Sequence, residues 1–265
     1  MILNLFDLWP LWSIYIIIIL LLFISAELGF YLGKYRKANL KDVGGEDKQT
    51  GSIMGASVGL LAFLLAFSFN IASNIHAERK ALVIEEANSI STLYLRSQLF
   101  DLEQASELRD SIRDYVHLRI DAMHQSSNEE LDKLIRESEI ILNRFWQLVT
   151  EIVKNSESNT GIAQLINAGN KVIDLHTERV NAALKRLPIV SSFILIFIAI
   201  LTLALMGYQS GLSGARVLIP RFALILSLST VMIVIADLDR PGGELIGLSQ
   251  HAMIELQKQI STDVE

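Results

Sequence analysis

Four apolar stretches divide this chain, two before and two after a long segment that mixes apolar and charged positions. The stretches cover residues 11–33, 53–75, 188–208 and 217–236. Each has about the ~20 residues that an α-helix needs to cross a hydrocarbon layer ~30 Å thick. The pattern predicts a membrane protein with four transmembrane helices.

The middle segment, residues 76–187, has apolar residues at helical spacing throughout. It predicts a first helix that continues out of the second span to about Ile120, a second that begins near Asn128, and a third from Ile162 to Pro188. No stretch shows the alternation typical of a strand. The predicted fold class is an all-α membrane protein, in which four transmembrane helices, two plus two, flank an extramembrane domain of long helices.

These elements divide the chain into four segments. Residues 1–75 form a first transmembrane hairpin, residues 76–187 the extramembrane helical domain, and residues 188–236 a second transmembrane hairpin. Residues 237–265 form a polar turn and an amphipathic C-terminal tail. Five basic residues in the short loop after the first span are balanced by five near the opposite membrane face, so the positive-inside rule leaves the orientation open.

The composition of the chain excludes several classes of function. Hydrophobic residues make up 51 % of the chain and the mean hydropathy is +0.39, values too apolar for an ordinary soluble domain. The middle segment has 14 basic and 18 acidic residues, a local net charge of −4, so it lacks the basic stripe that a nucleic-acid partner requires. No cysteine and no zinc, phosphate-loop or nucleophile motif is present. The sequence therefore predicts no enzyme, no catalytic residue and no cofactor.

The second span carries the most suggestive pattern for function. Phe63, Phe67, Asn70 and Asn74 lie on one helical face that grades from aromatic to amide side chains. Amides inside a membrane are costly unless they pair or face water. In an oligomer this face can line a pore, since hydrophobic rings gate by dewetting and amide N–H groups replace part of an anion's hydration shell. The alternative is that the phenylalanines are packing residues and the asparagines bond to neighbouring helices.

Small residues precede that face along the same span. Gly51, Gly55 and Gly59 follow one another at fourfold spacing, which allows close approach of another helix. We expect a helix-packing face here, with an unidentified partner.

Two similar charged motifs flank the middle segment. His76-Ala77-Glu78-Arg79 follows the second span and His176-Thr177-Glu178-Arg179 precedes the third. They can form a pH-sensitive cluster, because histidine titrates near neutrality, or they can be interfacial salt bridges and solvated faces. The candidate cluster is His76, Glu78, Arg79, His176, Glu178 and Arg179.

Three acidic residues are candidates for more specific roles. Glu27 lies inside the first span, where an acid is a functional candidate by default or pairs with a basic side chain. Asp237 and Asp239 end the fourth span and are candidates for binding a hard cation. They can equally pair with Arg240 or Arg79, and the sequence predicts no firm metal site.

Several of these motifs resemble a known family. Phe69-Asn70-Ile71-Ala72 followed by Glu78-Arg79 is similar to the exit of the second helix in bestrophin channels, and Leu238-Asp239-Arg240-Pro241-Gly242-Gly243 is similar to the turn that closes their membrane domain. Over nearly its full length the chain resembles a bacterial bestrophin-like family of unknown function, remotely related to those anion channels. The shared features are the Leu-Leu-Ala-Phe motif, Glu86-Ala87-Asn88-Ser89-Ile90 and the Asp-Leu-Asp-Arg-Pro stop.

The resemblance implies a homopentameric, anion-selective channel in which each subunit contributes its second helix to a central pore, in contact with membrane lipid and small inorganic ions. It implies a multi-pass protein of the bacterial plasma (inner) membrane with a cytoplasmic helical domain. Two features depart from bestrophins: Ile75 and His76 stand in the region of their paired tryptophans, and the acidic calcium-binding cluster is reduced to Asp237 and Asp239. The alternative function is a non-conducting sensor or scaffold whose helical domain recruits partner proteins.

Overall fold

The structure is a computed structural model that describes residues 9–39, 44–101, 103–121, 128–156, 159–216, 218–243 and 245–262. These residues form helices and connecting turns without any strand, which confirms the all-α prediction. The helices are α1 (Leu11–Asn39), α2 (Gly44–Ser97), α3 (Glu103–Asp121), α4 (Asn128–Asn155), α5 (Asn159–Leu184), α6 (Ile189–Ser213), α7 (Leu218–Asp239) and α8 (His251–Thr262).

Four helical stretches are long and apolar enough to cross a membrane. They are Leu11–Asn39, Gln49–Ser97, Thr160–Ser213 and Leu218–Asp239. The first three contain the predicted spans 11–33, 53–75 and 188–208, and the fourth covers the predicted span 217–236 except residue 217, which lies outside the described residues. Only 17 % to 33 % of the most apolar part of each stretch is buried within the chain, as expected of helices whose remaining surface faces lipid or other protein. The chain is therefore a membrane protein.

The prediction that one helix reaches from the second span to Ile120 is wrong. Helix α2 ends at Ser97 and α3 begins at Glu103. The Ser97 hydroxyl donates a 2.6 Å bond to the carbonyl of Tyr94, and the Phe100 amide bonds to the Ser97 carbonyl. A serine that bonds to its own backbone competes with helical continuation. The resulting turn buries Phe100 in the core, which helical spacing alone does not reveal.

The described chain forms two compact units. The membrane unit contains the residues up to Ile75 together with Arg186–Ile246, and the extramembrane unit contains His76–Lys185 together with the residues from Gly247 onward. In the extramembrane unit, Tyr115 of α3 and Phe145 of α4 lie at the centre of the core. Met253, Leu256 and Ile260 of α8 pack into the same core, so the amphipathic tail is an integral helix of this unit.

Glycines bring α1 and α6 into contact in the membrane unit. A Cβ atom added at Gly29 would lie 2.0 Å from the carbonyl oxygen of Ala204, and one at Gly207 would lie 2.0 Å from that of Ala26. Gly33 and Gly211 repeat the arrangement one turn further along. Both helices thus carry the small-xxx-small spacing that permits backbone contact in membranes. The Ser25 hydroxyl adds a 2.6 Å hydrogen bond across this crossing to the carbonyl of Ile200.

Candidate functional site

Phe63, Phe67, Asn70 and Asn74 form an exposed stripe along α2. The Phe63 side chain is 66 % exposed and that of Phe67 is 55 % exposed, with their rings stacked at a centroid distance of 6.4 Å. Both asparagines are also exposed. The opposite side of the helix is buried in the membrane unit through Leu61, Leu65 and Ala72. Residues two positions apart differ by about 200° around a helix, so the stripe points directly away from the unit's own core.

The polar half of this stripe restricts what can face it. An amide transferred from water to hydrocarbon without a partner costs roughly 2–7 kcal/mol. Two exposed amides one turn apart therefore favour surroundings of water or of another protein surface over acyl chains. The amide half of the stripe therefore requires water or a partner surface beside it.

The three glycines of the second span have unequal surroundings. A Cβ atom at Gly51 would approach the Gln209 side-chain nitrogen of α6 to 2.7 Å, whereas no atom of the described chain lies within 4 Å of one at Gly55 or Gly59. The helix-packing role of Gly55 and Gly59 therefore stays a prediction about a surface outside this chain. The glycines that do pack, Gly29 and Gly207, were missed, although the Gly-xxx-Gly spacing in α1 and α6 could have identified them.

The first charged motif lies on α2 and contacts the C-terminal end of α5. Arg79 is buried, and its guanidinium donates hydrogen bonds to the carbonyl oxygens of Ala182 (3.0 Å) and Lys185 (2.6 Å). A cation at a helix C-terminus satisfies carbonyls that have no partner within the helix. Glu78 forms a 2.7 Å ion pair with Lys185 in the same place. His76 is half-buried.

The second charged motif contributes to a different cluster, which is centred on Glu86. This carboxylate is fully buried, accepts a 2.7 Å hydrogen bond from the Tyr115 hydroxyl, and pairs with Arg119 and Arg179. His176 is buried with its Nδ1 atom 3.1 Å from the Tyr115 oxygen. Since the single hydroxyl proton points to Glu86, this contact requires the tautomer in which Nδ1 carries the proton. We call Glu86, Tyr115, Arg119, His176 and Arg179 the Glu86 network.

Electrostatics fixes the protonation states of the Glu86 network. Burial alone would raise the pKa of Glu86, but the charges of Arg119 and Arg179 and the hydrogen bond from Tyr115 hold it below its ordinary value. Burial, reinforced by the positive charge of Arg119, lowers the pKa of His176 to about 4. Burial also raises the pKa of Tyr115 well above its usual range. Near neutral pH the network therefore contains one carboxylate, two guanidiniums, a neutral phenol and a neutral imidazole.

Of the six residues in the predicted cluster, His176 and Arg179 belong to the Glu86 network. Glu78 and Arg79, on α2, instead contact the C-terminal end of α5. Glu178 is exposed on α5. Glu86, Tyr115 and Arg119 were missed by sequence reasoning. A signal was available, because Glu86 falls three residues after Val83 and four before Ile90 on the buried face of α2. A carboxylate on such a face requires basic partners.

Each acidic candidate of the membrane unit has partners within the chain. Glu27 pairs with Arg221 at 3.0 Å and with Arg216 at 2.9 Å. Asp237 is buried and accepts a 2.7 Å hydrogen bond from the amide of Ile246. Asp239 accepts a 2.6 Å bond from the amide of Leu187. Asp237 thus holds the turn that follows α7, and Asp239 holds the segment that leads into α6. In the described ranges no group of three or more His, Asp or Glu side chains converges as a metal site would require.

Fold and surface together define a polytopic helical membrane protein with a separate helical unit outside its spans. The profile of the Bestrophin-like domain matches residues 19–246, which includes most of both units. The chain belongs to the Bestrophin-like family, as its motifs predict. Neither a curated protein nor a solved structure matches the chain.

Proposed function

We propose that the protein is a self-assembled ion channel, selective for anions, in which α2 of each copy lines a shared pore. The observation that carries the proposal is the exposed stripe of Phe63, Phe67, Asn70 and Asn74, which points away from the chain's own core. The phenylalanines form the constriction and the amides form a polar mouth that hydrates a passing ion. Membership of a family that includes anion channels supports this assignment.

Further parts of the proposal rest on the resemblance. The assembly is a homopentamer in the inner membrane of a bacterium, with the extramembrane unit in the cytoplasm. The transported species are small inorganic ions, and no chemical step is catalysed. Gly55 and Gly59, which face open space beside the stripe, are where helices of neighbouring copies approach one another.

A second candidate is a non-conducting scaffold. Leu99 and Ile140 of the extramembrane unit are large apolar side chains that are 71 % and 68 % exposed, and a partner protein would cover them. In this case the four spans serve as an anchor.

One experiment separates the two candidates. The purified chain is sized in detergent and then reconstituted into liposomes for a chloride-flux assay. A particle several-fold larger than the 29.6 kDa monomer that supports chloride flux is the expected result. A monomer or dimer without flux would contradict the channel and favour the scaffold.

A further inference from the structure

The membrane unit contains an apolar cavity that follows α1. It has a volume of about 220 Å³ and is lined by side chains of α1, α6 and α7 and by Trp9. The residues of α1 that line it come from three successive turns of the helix, and they are Ile14, Ile17, Ile18, Leu21 and Leu22. From the first to the last of them the helix rises about 12 Å, at 1.5 Å per residue. The cavity is therefore long and narrow.

The floor of this cavity is buried and its rim is exposed. Ile14, Leu22 and Met232 are buried in the core of the membrane unit. Ile17 and Leu21, in contrast, are 47 % and 36 % exposed. The cavity thus reaches from the outer surface of α1 into the core. All five side chains belong to stretches that are long and apolar enough to cross a membrane, so the medium outside the cavity is hydrocarbon.

The shape and the lining of the cavity decide what can fill it. A buried water needs two to four polar partners, and a cavity lined by aliphatic side chains stays dry. A helix of a second copy is about 10–12 Å across with its side chains, which is too wide to enter a narrow cavity of this volume. An unfilled cavity destabilises a protein in proportion to its volume. A single hydrocarbon chain is narrow, flexible and present in the surrounding membrane.

We propose that this cavity binds one acyl chain of a membrane phospholipid, which lies along α1 between α6 and α7. An engineered cavity of about 150 Å³ accepts a benzene molecule, so the larger cavity here has room for a segment of acyl chain. Trp9 and Trp12, both exposed, mark the headgroup end, because tryptophan is enriched at the membrane interface. The inference does not depend on ion conduction.

The headgroup is not part of this recognition. No charged side chain lines the cavity, whose lining residues are apolar apart from the indole N–H of Trp9. Phospholipids that have the same acyl chains and different headgroups are therefore expected to bind alike.

The test uses native mass spectrometry of the full-length protein. The protein is reconstituted into vesicles of equal parts phosphatidylglycerol and phosphatidylcholine with identical acyl chains, and it is then extracted in detergent. The expected result is one retained phospholipid per chain, with both headgroups represented equally. Loss of all phospholipid on extraction would overturn the proposal. Retention of one headgroup alone would also overturn it, since the headgroup and not the chain would then be held.

Two pairs of neighbouring residues on α1 provide matched variants. Ile16 and Ile17 are both 47 % exposed, and Leu20 and Leu21 are 54 % and 36 % exposed. Of these four residues, only Ile17 and Leu21 line the cavity. Ile17→Trp and Leu21→Trp fill it, and each is expected to reduce lipid retention about tenfold, a change of ~1.4 kcal/mol. Ile16→Trp and Leu20→Trp are expected to retain lipid as the unmodified chain does.

Equal retention within both pairs would overturn the proposal. The same spectra also give the number of chains in each particle, which tests whether a side chain of a neighbouring copy occupies the cavity instead. The expected result for Ile17→Trp is less bound lipid with an unchanged number of chains. A changed number of chains with unchanged lipid would assign the cavity to the neighbouring copy, and the proposal would fail.

Discussion

The hydroxyl of Tyr115 donates a 2.7 Å hydrogen bond to the buried carboxylate of Glu86. This contact joins α3 to the part of α2 that belongs to the extramembrane unit. Arg119 and Arg179 neutralise the same carboxylate from α3 and α5. A single acidic residue therefore holds three helices of the unit together, and its removal leaves two guanidiniums without their counter-charge.

Glu86→Gln is expected to destabilise the extramembrane unit by roughly 3–5 kcal/mol, the usual cost of removing one partner from a buried ion pair. The measurement is the midpoint of thermal unfolding of the detergent-solubilised protein. Glu85→Gln is the matched control, because Glu85 is exposed and pairs with Lys171 at the surface, where such pairs contribute about 0–1 kcal/mol. Similar unfolding midpoints for the two variants would contradict the structural role of the Glu86 network.

Stability is expected to fall as the pH decreases from about 6.5 to about 4. Burial lowers the pKa of His176 from 6.5 to about 4, so in this interval the unfolded chain binds a proton that the folded chain does not. Protonation of the folded state is opposed because the buried Nε2 atom has no hydrogen-bond partner among the described residues. The loss is at most ~3 kcal/mol at one pKa unit per 1.36 kcal/mol. The unfolding midpoint measured against pH tests this.

His176→Gln is the appropriate comparison for the pH series, since glutamine does not titrate. Its unfolding midpoint is expected to vary less between pH 4 and 6.5 than that of the unmodified chain. If the midpoint of His176→Gln varied with pH as steeply as that of the unmodified chain, groups other than His176 would cause the pH dependence.

Gly207→Ala is expected to weaken the membrane unit, because the new Cβ would meet the carbonyl oxygen of Ala26 at 2.0 Å. Overpacking of this kind costs roughly 1–3 kcal/mol, and thermal unfolding measures it. Gly242→Ala is the control, as its Cβ meets no atom of the described chain within 4 Å. Equal unfolding temperatures for Gly207→Ala and Gly242→Ala would contradict the close contact between α1 and α6.

The sequence predicted the parts of the fold that depend on the length of apolar stretches and on helical spacing within them. Four spans and a helical middle segment follow from apolar stretches whose length matches the membrane, as with residues 188–208. The break after Ser97 was not predicted, since it depends on one serine hydroxyl and the burial of Phe100. The Glu86 network was missed because its members lie on three helices, whose pairing no local pattern specifies. For the stripe on α2, the sequence indicated the residues, and the structure adds that all four are exposed.

Phe63→Ala combined with Phe67→Ala is expected to raise single-channel conductance by ~twofold or more, because it widens a hydrophobic constriction. Recording in planar bilayers measures this change. Phe69→Ala is the control, since Phe69 is also exposed but is rotated about 100° from Asn70 around the helix. Unchanged conductance in a well-folded double variant would remove the two phenylalanines from the pore.

The most direct test of the central claim is thiol modification of the stripe during chloride flux. The chain contains no cysteine, so a single introduced one is the only target. In the Asn74→Cys variant, a charged methanethiosulfonate reagent is expected to change the flux, while Phe69→Cys in the same liposomes is unaffected. Flux that is insensitive at Asn74→Cys, or equally sensitive at both positions, would contradict a pore lined by this face of α2.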